Sequence, residues 1–288
     1  MTNRYYEIEK NNSFNTTHIF ECGQCFRWNK EQDGSYMGVV KNNVLNVKEE
    51  KNRIIFTGMC KDNIKELVTT YFNLETDYSK IKNELSKVDT FLKTSIEYGS
   101  GIRILKQDLW ETIISFIISA NNNIPRIKGI IERLSKQYGK EIKFNGKSYY
   151  TFPSIEELSK ASIQDLRKLG LGFRDKRIYE TTLAFKNGKY NLHKIEKIED
   201  TNKIRQLLLE LPGVGPKVAD CILLFGLNKF DVFPIDVWVR RVMNDLYIKN
   251  EDETKVKKEE IKSLAKTKYK NLAGIAQQYL FYWKRETA

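Results

Sequence analysis

Two residues, Lys217 and Asp236, have the types and the spacing needed for covalent chemistry at a carbon atom. Lys217 lies in the string Leu211-Pro-Gly-Val-Gly-Pro-Lys-Val-Ala-Asp220, at the start of an apolar helical run. Asp236 ends the nearby string Val232-Phe-Pro-Ile-Asp236. An uncharged amine attacks carbon, and a carboxylate stabilises the positive charge that develops on a sugar. The pair is the minimum equipment for breaking an N-glycosidic bond through a covalent intermediate.

Lys217 acts as a nucleophile only if its pKa is lowered. At the reference pKa near 10.4, less than about 0.1% of a lysine side chain is uncharged at neutral pH. A helix N-terminus and an apolar cleft both disfavour the ammonium form. The sequence therefore predicts that Lys217 lies in the first turn of a helix, inside a dry cleft.

For Asp236, two roles are open and they are compatible. The residue precedes the apolar-periodic run Val237-Trp-Val-Arg-Arg-Val242, so it suits a helix N-cap worth about 1 kcal/mol. It also suits a carboxylate that faces the sugar and assists deprotonation of the lysine. Asp220, one helical turn after Lys217, is the competing carboxylate, and we expect it to be structural.

The segment before the lysine predicts a helix, a tight hairpin and a second helix over about residues 203–226. Pro212 and Gly213 end the first helix, and Pro216 suits the first turn of the second. Gly213 and Gly215 lack a Cβ, so the backbone can take positive φ and approach another molecule. The hairpin N–H groups then suit a phosphate. Gly-x-Gly alone would favour an ordinary corner between helices, but the full string favours the phosphate-binding hairpin.

Segments along the whole chain resemble one family. The hairpin and the Pro-x-Asp string resemble the helix-hairpin-helix and Gly/Pro…Asp signature of the DNA glycosylase superfamily. Other segments narrow the resemblance to the 8-oxoguanine DNA glycosylase family. They are Gly23-Gln-Cys-Phe-Arg-Trp28, Ile114-Ser-Phe-Ile-Ile-Ser-Ala-Asn-Asn-Asn123 with Arg126, Leu169-Gly-Leu-Gly-Phe-Arg174, and Ala276-Gln-Gln-Tyr-Leu-Phe281.

This resemblance implies a bifunctional DNA glycosylase and AP lyase that excises 8-oxoguanine from double-stranded DNA. Lys217 would attack C1′, expel the base and hold the sugar as a Schiff base, and β-elimination would nick the strand. The damaged nucleotide must leave the base stack for this reaction. Two alternatives stay open: a glycosylase for another damaged base, and a non-catalytic helix-hairpin-helix DNA-binding module.

The resemblance also assigns residues to a base pocket. Cys221 and Phe281 would sandwich the flipped purine, and Gln277 would bond its Watson–Crick edge. The Gly23 carbonyl would accept the N7 proton that 8-oxoguanine has and guanine lacks. Without the resemblance, Cys221 and Phe281 would be read as core residues.

Further residues are assigned to the distorted duplex. Asn121 would fill the vacated space, while Arg126 and Arg174 would read the estranged cytosine, whose acceptors suit a guanidinium fork. Phe173 stands where the family often has tyrosine, and we expect it to act as a wedge because stacking needs only the ring. Trp238 stands where histidine is frequent; it donates one N–H without charge, so its phosphate contact stays open.

We expect no organic cofactor and no divalent metal. By resemblance, the hairpin carbonyls from Leu211 to Val214 would hold a structural K⁺ or Na⁺. The Cys22-Gly-Gln-Cys25 spacing suits a metal knuckle but no second pair exists, and no cysteine follows Cys221. An iron–sulfur cluster near the C-terminus, which takes four thiolates, is therefore not expected.

Composition suits a folded nucleic-acid-binding protein. The 288 residues carry a formal net charge of +12, with Lys and Arg scattered along the chain. No apolar run of about eighteen residues exists and the N-terminus is polar, so we expect neither a membrane span nor a signal peptide. We expect a monomeric, cytoplasmic and nucleoid-associated protein of bacterial origin.

Residue patterns predict an α+β fold that divides near residue 100. Residues 1–99 are predicted to form a small antiparallel sheet with helices, and residues 100–288 a mainly helical glycosylase domain. The predicted strands are 35–40, 44–47 and 53–57. The predicted helices are 61–72, 78–91, 108–120, 124–138, 154–161, 162–169, 174–187, 201–211, 254–266 and 272–285, besides those of the hairpin.

Overall fold

The computed structural model describes residues 1–61 and 63–288, and its N-terminal part is built on an antiparallel sheet. The five strands are hydrogen-bonded in the order β1-β5-β4-β3-β2. They are β1 Thr2–Glu9, β2 Trp28–Lys30, β3 Tyr36–Val40, β4 Asn43–Glu49 and β5 Arg53–Cys60. The α+β class and the three predicted strands are confirmed. Two strands were not predicted, because β1 is a largely exposed edge strand with weak alternation and β2 has only three residues.

Aromatic side chains form the core between this sheet and two helices, α1 Thr16–Glu21 and α2 Ile64–Tyr71. Phe20 stacks on Trp28 with 4.1 Å between ring centroids, and both rings are buried. These two residues flank the Cys22–Cys25 turn. The aromatic core therefore fixes the position of the Gly23 backbone.

The rest of the described chain is mainly helical. Its two central helices, Leu109–Ser119 and Pro216–Leu227, each bury at least nine residues. The helices are α3 Tyr78–Leu85, α4 Thr90–Tyr98, α5 Leu109–Ser119, α6 Ile124–Tyr138, α7 Ile155–Leu158, α8 Ile163–Lys168, α9 Asp175–Lys186, α10 Leu192–Glu196, α11 Thr201–Leu209, α12 Pro216–Leu227, α13 Val237–Met243, α14 Lys258–Tyr269 and α15 Ala273–Thr287. The two central helices are α5 and α12. None of the helices in residues 1–61 and 63–288 combines the length and the apolar character needed to cross a membrane.

One predicted helix is wrong and one hairpin was missed. The run 78–91 is not continuous, because Asp89 is extended and its carboxylate caps α4 by accepting a 2.9 Å bond from the Leu92 N–H. The missed hairpin joins β6 Glu141–Phe144 to β7 Lys147–Tyr150. Its turn residues, Asn145 and Gly146, have positive φ, and Asn-Gly is the sequence signal of such a turn.

A continuous apolar core crosses the predicted boundary at residues 99 and 100. Leu92 and Ile96 of α4 belong to the same buried cluster as the residues of α5 and α12. Helix α4 also packs along α15 at the C-terminus. The division into domains 1–99 and 100–288 stays a prediction.

Candidate active site

A cleft of about 710 Å³ brings together residues that are far apart in the sequence. Its walls come from the turn after α1, the end of α5, the middle of α15, and the beginnings of α6, α12, α13 and α14. The predicted site residues that line it are Gly23, Asn121, Lys217, Asp236, Trp238 and Phe281. The predicted nucleophile, its acidic partner and part of the predicted base pocket therefore share one opening.

Lys217 is the second residue of α12. Gly215 is the N-cap in an extended conformation, and Pro216 opens the helix as its first residue. The Lys217 Nζ lies 5.5 Å from the centroid of the Phe116 ring, and the side chain is half-buried. Among the described residues, Lys217 forms no ion pair. Lys217 thus lies in the first turn of a helix, as the sequence predicts, and its amine also faces an aromatic ring.

The hairpin before α12 needs a glycine at one position. Gly213 has a φ of +87°, and a Cβ there would lie 2.7 Å from the Arg177 Cδ. Gly215 instead has a φ of −95°, so positive φ is required at Gly213 alone. A Cβ at Gly215 would meet no heavy atom within 4 Å. Gly215 therefore leaves open space in front of the helix N-terminus, which suits the close approach of a phosphate.

Asp236 caps α13 and also faces the cleft. Its Oδ1 accepts a 2.8 Å hydrogen bond from the Val239 N–H. Within the described chain, its Oδ2 has no hydrogen-bond partner. One carboxylate therefore fixes the helix start and still presents an oxygen to the cleft, so the two predicted roles are compatible.

The buried Cys221 thiol lies within the electrostatic influence of the charged site residues. Burial raises the pKa of Cys221 to about 11. The Lys217 ammonium lowers this pKa through charge and a hydrogen bond, whereas the carboxylates of Asp220 and Asp236 raise it. Lys217 and Asp236 therefore both contribute to the electrostatic environment of this buried thiol. Near neutral pH the thiol is uncharged.

Asp220 points into the protein rather than into the cleft. It is buried, and the Arg205 Nε donates to its Oδ1 at 2.8 Å. Burial raises the pKa of this carboxyl, and the arginine charge opposes the rise. The position of Asp220 agrees with the structural role expected for it.

Gly23 and Phe281 face each other across one end of the cleft. Gly23 has a φ of +87°, and the Phe281 Cε1 lies 3.5 Å from the position that a Gly23 Cβ would take. Cys221 and Gln277 are buried and do not line the opening. The Gln277 Oε1 accepts a 2.8 Å bond from the Gln278 side chain. Of the four residues predicted for the base pocket, only Gly23 and Phe281 therefore line the cleft.

Phe173 lies on the surface outside the cleft, between two guanidinium groups. Its ring is 56% exposed, with the Arg174 Cζ at 4.2 Å and the Arg177 Cζ at 5.1 Å from the centroid. Arg177 was not predicted, although it follows Phe173 by four residues in the same helical region. Its Cδ also faces Gly213 of the hairpin. It therefore connects the predicted wedge with the predicted phosphate site.

Arg174 holds the turn that carries Asn121. Its Nη2 donates to the carbonyls of Ala120 and Asn121 at 2.6 and 2.7 Å, and Asn121 has a φ of +50°. Arg126 is exposed and contacts the Gly170 carbonyl at 3.4 Å. In this structure the Arg174 side chain is buried, and its guanidinium group donates to backbone carbonyls. Its reading of cytosine stays a prediction.

Two basic residues that were not predicted line the cleft near Trp238. They are Arg240 and Lys258. The Trp238 Nε1 and the Arg240 Nε are buried and have no hydrogen-bond partner in the described parts of the chain. The sequence signal for Arg240 is its place four residues after Asp236, on the same helix face. Arg240 and Lys258 therefore supply positive charge to the cleft that the uncharged Trp238 side chain cannot supply.

Comparison with known proteins finds matches along most of the chain. The family model described as the 8-oxoguanine DNA glycosylase N-terminal domain matches residues 7–113, and that of the HhH-GPD superfamily base excision DNA repair proteins matches residues 114–270. A probable N-glycosylase/DNA lyase of Methanothermobacter thermautotrophicus is 34% identical over 244 residues, which cover 78% of this chain and 76% of the relative. The N-glycosylase/DNA lyase of Saccharomyces cerevisiae is 34% identical over 280 residues, with 88% and 72% covered.

Solved structures agree over almost the entire length. The chain resembles the 8-oxoguanine glycosylase/lyase of Clostridium acetobutylicum, solved with double-stranded DNA that has cytosine opposite 8-oxoguanine. The two chains are 38% identical, 98% of each is covered, and the TM-score is 0.91. The likeness therefore includes the N-terminal sheet, the hairpin and the last helix.

Proposed function

Since this chain belongs to the 8-oxoguanine DNA glycosylase family, we propose that its cleft excises the damaged base with Lys217 as the nucleophile. The protein is a bifunctional DNA glycosylase and AP lyase that acts on 8-oxoguanine in duplex DNA. The observation that carries the assignment of the cleft is the position of Lys217. It is the second residue of α12, without an ion-pair partner among the described residues, and it shares the cleft with Asp236.

The chemistry follows from these two side chains. The uncharged Lys217 Nζ forms a bond to C1′ while the C1′–N9 bond breaks, and the bonding electron pair leaves with the base, which takes up a proton. The Asp236 carboxylate stabilises the positive charge that develops on the sugar. The amine nitrogen then loses a proton, its lone pair forms the C=N bond as the C1′–O4′ bond opens, and O4′ takes up a proton, which gives a protonated Schiff base. Loss of a C2′ proton expels the 3′ phosphate and nicks the strand.

The same cleft accounts for recognition of the base. The Phe281 ring and the apolar Cys221 thiol are assigned to the two faces of a flipped purine. The Gly23 carbonyl is assigned to the N7–H of 8-oxoguanine, and Gln277 to the Watson–Crick edge. An acceptor that faces the unprotonated N7 of guanine would be repelled, so one hydrogen bond discriminates between the two bases.

Residues at the edge of the cleft and on the surface around it are assigned to the duplex. Phe173 enters the stack as a wedge, and Asn121 takes the place of the flipped nucleotide. Arg126 and Arg174 contact the estranged cytosine. Gly213 and Gly215 allow a phosphate of the damaged strand to reach the hairpin. A single protein chain bound to one duplex makes all of these contacts.

We also propose that a monovalent cation stabilises the hairpin. No group of three or more His, Cys, Asp or Glu side chains in residues 1–61 and 63–288 is placed to hold a metal ion. The Leu211 carbonyl accepts a 3.0 Å bond from the Val214 N–H, and the Pro212 carbonyl accepts one from the Thr181 Oγ1 at 3.4 Å. Each oxygen keeps a second lone pair, which suits K⁺ or Na⁺. No chemical step depends on this ion.

Borohydride trapping tests the proposed function directly. The wild-type protein is incubated with a labelled duplex that has 8-oxoguanine opposite cytosine, with and without borohydride. We expect free 8-oxoguanine, a strand nick and, with borohydride, a covalent protein–DNA adduct. A non-catalytic DNA-binding module would give tight binding without an adduct. A glycosylase for alkylated bases would release only those bases from a matching duplex.

The base pocket is tested by Phe281→Ala and Gln277→Ala. We expect each variant to lower the ratio of excision rate constants for 8-oxoguanine and guanine by on the order of tenfold or more, because a wall or a hydrogen bond is lost. Single-turnover release of both bases measures this ratio. Trp283→Ala removes an aromatic ring of the same helix that does not line the cleft, so it should keep the wild-type ratio. Unchanged selectivity in both pocket variants would show that the pocket is assigned to the wrong residues.

A further inference from the structure

Arg285 connects the last helix to the turn that carries Gly23. It follows Phe281 by one helical turn on α15. Its Nη2 donates a hydrogen bond to the carbonyl of Glu21, which is 264 residues away in the sequence. The same guanidinium group meets the carboxylate of the neighbouring Glu286 at 2.8 Å. Arg285 is thus a direct link between the two chain segments that face each other at this end of the cleft.

The guanidinium group also lies beside both Gly23 and the Phe281 ring. Its Nη1 lies 3.3 Å from the position that a Gly23 Cβ would take, and the Phe281 Cε1 lies 3.5 Å from the same point. Its Cζ is 5.3 Å from the centroid of the Phe281 ring. The Nη1 is buried and has no hydrogen-bond partner within the described residues. The Phe281 ring, the Glu21 carbonyl and the Glu286 carboxylate therefore hold the group in place, while Nη1 keeps no hydrogen-bond partner.

We propose that Arg285 is a positioning residue that sets the distance between the Gly23 turn and the Phe281 ring, and thereby the selectivity for the damaged purine. This inference rests on the proposed function, because it takes Gly23 and Phe281 as the walls of the base pocket. A planar guanidinium stacks on a ring and donates at its edge at the same time. A hydrogen bond that distinguishes two purines depends on the position of its acceptor within a fraction of an ångström.

Two substitutions separate the shape of the side chain from its charge. Arg285→Met keeps an unbranched side chain of moderate length and removes both the fork and the charge. Arg285→Lys keeps the charge but cannot stack on Phe281 and donate to Glu21 together. Lys284→Met is the matched control, because it removes one positive charge from the same helix. Lys284 pairs with Asp245 at 2.6 Å and does not line the cleft.

Three rate constants are measured for each variant under single-turnover conditions. They are the release of 8-oxoguanine, the release of guanine, and the cleavage of a preformed abasic duplex. The third reaction has no base to hold, so it reports on the lysine chemistry and on folding alone. We expect Arg285→Met to lower the 8-oxoguanine to guanine ratio by on the order of tenfold. Cleavage of abasic DNA should stay within about twofold of the wild type.

The outcomes decide the proposal in either direction. Arg285→Lys should show an intermediate selectivity, and Lys284→Met should match the wild type in all three reactions. If Arg285→Met keeps its selectivity, or loses all three activities in parallel with a lowered melting temperature while Arg285→Lys remains fully selective, the positioning role is wrong. A wild-type protein that forms no adduct with abasic DNA would instead contradict the proposed function itself.

Discussion

Lys217→Gln is expected to remove base release, strand cleavage and the borohydride-trapped adduct together. Glutamine is polar and of similar reach, but its amide nitrogen is not a nucleophile, so no bond to C1′ forms. We expect the excision rate to fall by more than about a thousandfold, as for other enzymes that lose a covalent nucleophile. Single-turnover excision of 8-oxoguanine and trapping on abasic DNA measure the two steps separately.

The same variant should still fold and bind the lesion duplex. Lys217 is half-buried and forms no ion pair among the described residues, so its replacement leaves no buried charge without a partner. We expect the affinity for the duplex to change by only a few fold, because one cation among many is lost. Lys229→Gln, two residues beyond the C-terminal end of the same helix, is the matched control and should retain activity. An adduct that persists in Lys217→Gln would mean that another amine attacks the sugar.

The local geometry around Lys217 was predictable because residues adjacent in the sequence determine it. Pro216 and Gly215 fix the helix start, and Gly213 supplies the positive φ that the turn requires. Asp236 follows the same logic, since a carboxylate before an apolar-periodic run caps a helix. Short-range sterics and hydrogen bonding decide these features, so the sequence contains them without reference to the rest of the fold.

The opposite end of the cleft could not be derived in this way. Gly23 and Phe281 meet only because the aromatic core under the sheet and the packing of α15 bring their segments together. The resemblance named both residues, but no local pattern places one against the other. Arg285 was not predicted at all, since its partner Glu21 is at the other end of the chain.

Arg174 shows a different reason for incomplete prediction. The sequence supplies the residue type, and a guanidinium group suits both cytosine and backbone carbonyls. The structure shows it bound to the carbonyls of Ala120 and Asn121, so its donors maintain the turn that carries Asn121. Which acceptors an arginine uses depends on the distances between folded segments, and these are not encoded in its neighbours.

Asp236→Asn is expected to lower base release by on the order of a hundredfold to a thousandfold, the range for loss of one electrostatic contact to a transition state. Asparagine caps helices as well as aspartate does, so the bond from the Val239 N–H can form and α13 keeps its start. What disappears is the negative charge that stabilises the sugar as the base departs. Single-turnover excision and the melting temperature, measured on the same preparation, separate the loss of rate from any loss of stability.

A comparison with Asp220→Asn identifies which of the two carboxylates takes part in the reaction. Asp220 is buried and paired with Arg205, so its loss should lower the melting temperature while the folded protein keeps its excision rate. Asp236→Asn should show the reverse, with unchanged melting and duplex affinity that is equal or slightly higher, because a negative charge near DNA is removed. Near-native turnover in Asp236→Asn would reduce Asp236 to a helix cap, and the charge that assists base departure would then have to come from elsewhere in the cleft.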